Sequence, residues 1–184
     1  SGKHTYNLSL IGSMIAHHGE AETEQWLEAV KSNLARKPQG NDRAQVKAIK
    51  EGVCDLALGN SYYYGKMVTN DKEPEQKEWA ASAFLVFPNQ DGRGAHMNIS
   101  GAALTKYAPH PEAAVKLVEF LTEKQAQELY AEANFEFPVR PNTPWSDLLE
   151  EHMGEFKGDE INLGKVAEQR SAAAKMVDKV GFDN

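Results

Sequence analysis

Cysteine is nearly missing: among 184 residues there is one, Cys54. A single thiol closes no intrachain disulfide and builds no thiolate metal cluster. Long apolar runs are missing too, since no stretch approaches the roughly 18 apolar residues of a membrane span. The opening Ser1-Gly2-Lys3-His4 has no apolar signal-peptide core, which fits a cytosolic protein or a mature or excised piece of an exported one. Nor is there a basic excess. The chain has 27 acids against 20 Lys and Arg, a net charge of −7, which argues against nucleic acid as a partner, because phosphate backbones demand a basic surface. DGRGAH lacks the third glycine and following helix of a dinucleotide fingerprint and reads as a turn. No Ser/His/Asp order or paired-carboxylate spacing stands out, so no enzyme is expected.

What is present is ordinary globular material. At 41% hydrophobic and 26% charged residues, the chain suits one domain, or one plus part of another. Apolar spacing predicts a helix over 7–18 stopped at Gly19, and a second from Glu20 to about Ala35 with an acidic first turn. Asn41 or Asp42 can cap a third that ends at Gly52. VCDLALG (53–59), AASAFLVFP (80–88) and HMNISGAAL (96–104) read as strands, the first two buried. NDKEPEQKE (70–78) reads as a charged loop. A helix is expected from His110 to Ala133 with Pro111 at its first position, then an extended FEFPVRPNTP with three prolines,. Helices near 145–152 and 163–180 complete the series. Alternation of helices and apolar strands predicts an α/β fold with a largely parallel sheet.

The oddest local feature is Asn60-Ser61-Tyr62-Tyr63-Tyr64-Gly65, directly after an expected strand, where α/β proteins place ligands. Ser61 can cap a short helix there, leaving phenols at a positively polarised N-terminus. Phenolates are hard anionic donors, and clustered tyrosines without cysteine point to ferric iron. Aromatic packing is the plainer alternative.

YNLSLIGSMI, GNDRAQVKAIKEGVCDLALGNSYYYGKM and FEFPVRP together resemble periplasmic ferric-ion-binding proteins, the receptors of ABC-type iron importers. The resemblance spans nearly the whole chain and is most specific in NSYYYG and in Tyr6-Asn7, with Tyr6 lying 56 residues before Tyr62. It implies a type II periplasmic-binding-protein lobe and ferric ligation by Tyr6, Tyr62 and Tyr63, with Tyr64 not a ligand. Three phenolates would cancel the 3+ charge of the ion. The resemblance further implies that Ser1, Gly2, His4, Thr5 and Asn60 hold a synergistic carbonate or phosphate. Arg43 can serve charge balance or lie on a solvated helix face.

By the same analogy this is the back part of a receptor. Residues 1–87 would form the second lobe, 88–139 a segment of the first, and 140–184 helices returning to the second. A missing N-terminal lobe, an inner-membrane ABC permease and a dimer of the fragment are the partners implied, in the periplasm. The rival is the same scaffold binding another small ligand, an anion or an organic cation. Elsewhere, His17-His18 with Glu20 and Glu22 reads as a surface helix end, because adjacent helical side chains diverge by about 100°. His96, His110 and His152 look isolated, and Cys54 reads as inert core.

Overall fold

A computed structural model describes residues 1–184. Nine helices follow one another: α1 Thr5–Ser32, α2 Asp42–Lys50, α3 Ser61–Val68, α4 Glu75–Ala81, α5 Pro111–Leu121, α6 Lys124–Asn134, α7 Asp147–Met153, α8 Leu163–Glu168 and α9 Arg170–Val180. None is long and apolar enough to cross a membrane. The chain forms two compact units. Unit 1 comprises Ser1–Gly40, Phe87–Asn98 and Lys157–Asn184, and unit 2 comprises Asn41–Val86 and Ile99–Phe156.

In unit 1 the expected first two helices are the two arms of α1, bent at Gly19, whose φ of 79° lies in the left-handed region that glycine tolerates best,. Leu8, Ile11, Ile15 and Leu27 of α1 pack with Ala173, Met176 and Val177 of α9 into the core of this unit. The expected 163–180 helix breaks at Gln169 into α8 and α9. A single parallel bridge, Ala95 to Gly158, joins the 87–98 segment to the C-terminal part.

In unit 2, Asn41 caps α2 through a bond from the Ala44 amide. The expected 110–133 helix is interrupted at Thr122-Glu123, giving α5 and α6, with Pro111 at the start of α5. Helix α4 occupies the second half of the expected charged loop and takes Ala80 and Ala81 from the expected strand.

The parallel sheet does not form within these residues. Segments 53–59 and 83–86 and the 99–105 stretch belong to no helix and no ladder. Leu56 is 88% exposed and Phe84 83%, where burial was expected. A strand exists only through a backbone ladder with another segment, and no ladder joins these stretches,. Cys54 shares this fate and is half-buried rather than core. The sequence divides the chain near 88 and 139, whereas the compact units are cut at 40, 86, 98 and 156.

Candidate metal centre

Helix α3 carries the tyrosine run, and its position is fixed from both ends. Asn60, not the expected Ser61, is its N-cap residue. The Asn60 amide donates to Asp42 Oδ1 at 2.9 Å, and its side-chain Nδ2 donates to the same oxygen at 3.3 Å. This ties the start of α3 to the start of α2. At the other side, a Cβ on Gly65 would lie 2.5 Å from Phe135 Cγ. Only glycine lets the helix rest on that buried ring, which itself sits in a left-handed backbone at the end of α6,. Met67 is fully buried on the same helix.

The three phenols then part company. The rings of Tyr62 and Tyr63 lie 4.3 Å apart, centroid to centroid, tilted by 33°. Tyr64 turns away: its hydroxyl donates to the Ala83 carbonyl at 3.4 Å, and its ring meets His152 edge-on at 6.0 Å. Two cations flank the pair. Lys66 Nζ is 5.0 Å from the Tyr62 ring centroid, and the Arg43 guanidinium carbon is 5.9 Å from that of Tyr63.

In unit 1, Tyr6 is half-buried in the first turn of α1. Its amide donates to His4 Nδ1 at 3.4 Å, and the His4 and Tyr6 rings are 4.7 Å apart. The expected anion segment holds an oxyanion of the protein's own. Gly2 N–H donates to Asp183 Oδ1 at 2.7 Å and the Ser1 hydroxyl to Asp183 Oδ2 at 2.8 Å. Burial by itself would raise the Asp183 carboxyl, but the bonds from Gly2 and Ser1 outweigh it and hold the group below its ordinary range,. Thr5 is exposed at the head of α1.

His17 and His18 do diverge. His17 Nε2 meets Asp159 Oδ2 at 2.7 Å, whereas His18 lies between Arg93 at 2.7 Å and Glu22 at 3.2 Å. Nowhere do three His, Cys, Asp or Glu side chains converge as a metal cluster. His96 is isolated in the expected sense, its two ring nitrogens buried without a hydrogen bond; that burial pushes its imidazole below the usual value, against the opposing pull of the Asp159 carboxylate.

Residues 20–128 match the family of bacterial extracellular solute-binding proteins. The chain belongs to that family. This solute-binding protein is 40% identical over 182 residues to iron uptake protein A1 of Synechocystis sp., covering 99% of the chain and 50% of that protein. It thus spans about half the length of the curated relatives it matches. Among solved structures, ferric iron-binding protein A of Mannheimia haemolytica in an open conformation is similar with a TM-score of 0.92 and 50% identity, over 100% of this chain and 57% of that one. A Trichodesmium protein solved in complex with iron and citrate ligands has a TM-score of 0.92 and 40% identity, over 99% and 57%. These relatives bind solutes, which supports a non-enzymatic role for this member.

Three residues around the tyrosine pair escaped sequence reasoning. Asp42 and Phe135 act through tertiary contacts that leave no local pattern. Lys66 had a signal, its place one helical turn after Tyr62, where i and i+4 side chains share a face.

Proposed function

We propose that this solute-binding protein is the ferric-ion-capturing part of the receptor of an ABC-type importer, acting in the periplasm and delivering its cargo to an inner-membrane permease. The observation that carries the reading is the Tyr62 and Tyr63 ring pair at the N-terminus of α3. Two phenols at a positively polarised helix end form a hard, anionic oxygen site once deprotonated, which suits a trivalent cation. The names of the relatives, iron uptake protein and ferric iron-binding protein, support the same cargo.

Tyr6 is proposed as a third phenolate donor on the sequence resemblance. Ser1, Gly2, His4, Thr5 and Asn60 are proposed to hold a synergistic carbonate or phosphate. Gly2 N–H and the Ser1 hydroxyl donate to the Asp183 carboxylate, so these donors suit an oxyanion and an exogenous one would have to displace that carboxylate. The lobe assignment of 1–87, 88–139 and 140–184 belongs to the same proposal, as does an N-terminal lobe completing the receptor, consistent with relatives twice as long.

A ferric titration of the chain followed by visible absorption tests this, because ferric phenolates absorb by charge transfer. Tyr62→Phe and Tyr63→Phe should each remove most of the band, and Tyr64→Phe should leave it. A colourless wild-type chain, or a band lost only in Tyr64→Phe, would overturn the ligand assignment.

A further inference from the structure

Every tyrosine of the candidate pair has a cation of its own. Lys66 follows Tyr62 by four residues on α3, so its stem runs along the same helix face and sets the ammonium 5.0 Å from the ring centroid,. Arg43 comes from a different element, α2, and reaches to 5.9 Å from the Tyr63 ring. Its placement follows from its neighbour. Asp42 grips the Asn60 amide and side chain, fixing the start of α2 beside the start of α3. Neither Lys66 nor Arg43 takes part in any of the ion pairs of the structure.

A cation over a ring is drawn to the negative face of the π-system. Conversion of phenol to phenolate adds a full negative charge to that ring, and the attraction grows with it. Resting on the reading of Tyr62 and Tyr63 as ferric ligands, we infer that Lys66 and Arg43 are positioning residues that stabilise the metal-bound phenolate pair, Lys66 acting on Tyr62 and Arg43 on Tyr63. The helix supplies only fractional charge at its N-terminus. Lys66 and Arg43 add two whole charges and hold them against the donors instead of against the metal. Their effect therefore reaches the donor orbitals, which a cation lowers in energy. The phenolate-to-iron transition of the site is raised accordingly.

The experiment compares parent, Lys66→Met, Lys66→Arg, Arg43→Met and Arg43→Lys chains in ferric titrations, reading band position and affinity by citrate competition. Lys66→Met keeps the length and apolar stem of the side chain, and is expected to bind iron roughly ten-fold more weakly, with the band moved to longer wavelength. Arg43→Met should change both less, in keeping with its greater distance. The charge-retaining Lys66→Arg and Arg43→Lys should keep band and affinity near the parent. Unchanged band and affinity in Lys66→Met would overturn the inference, as would Lys66→Arg behaving like Lys66→Met, which would make this lysine a packing residue. A parent chain that shows no band at all fails the ligand reading before any cation is altered, and the cation roles fall with it.

Discussion

Tyr62 and Tyr63 are sequence neighbours, and on a regular helix such neighbours point about 100° apart. Their rings nevertheless lie within 4.3 Å, which the first turn of a helix permits because no preceding turn crowds its side chains. Tyr64 has that turn's geometry but not its freedom, being held by the Ala83 carbonyl and the His152 ring. Position within one turn thus separates the two proposed donors from Tyr64. His96 gives this scale a pH signature. Burial keeps its folded-state value below the ordinary 6.5, so the unfolded chain takes up a proton there first. The corresponding stability is fully present above about pH 6.5 and declines as the pH falls toward the folded-state value. Urea unfolding of the chain at a series of pH values between neutral and mildly acidic should show this decline. In His96→Gln the decline should be shallower, and identical slopes in the two chains would refute the assignment.

At the scale of elements, Gly65 decides how α3 sits. An added Cβ would meet Phe135 at 2.5, 2.8 and 2.9 Å, against ring and stem alike. Overpacking of this kind costs about 1–3 kcal/mol, against which alanine's helix preference returns about 1 kcal/mol. Gly65→Ala should therefore lower stability by a net of up to about 2 kcal/mol, read as a lower urea midpoint, and Phe135→Leu in the same chain should recover part of it. A Gly65→Ala chain as stable as the parent would mean that α3 is free to shift. Helices were the legible part of this sequence, because caps and periodic apolar residues are local: Asn41, Pro111 and Gly19 mark the expected boundaries. The breaks at Thr122 and Gln169 had no such marker. Strands were illegible for a different reason. VCDLALG has the composition of a buried strand, yet pairing is a property of two segments, and the second is not among these residues. The tyrosine run was legible by its place after that apolar stretch, Lys66 by its spacing from Tyr62 and Arg43 as one of two alternatives, whereas Asp42 gained its meaning only when α2 and α3 came together.

At the scale of the molecule, the unladdered segments leave Leu56, Leu58, Phe84 and Val86 open to solvent in unit 2,. Sedimentation velocity should find the isolated chain associating as concentration rises, and Leu56→Lys with Phe84→Lys should suppress it. A monomer at all concentrations, with the parent sequence, would show that these faces are inert. Unit 1 carries a consequence of another kind. Its core joins α1 to α9, and Asp183 clasps Gly2 across 181 residues of chain. On a ribosome, where the polypeptide emerges from its beginning, α1 must wait with its apolar face uncovered until α9 has followed it out, long after α2, α3 and α4 have met in unit 2. The α1 face of unit 1 is laid down before unit 2 and covered only after it.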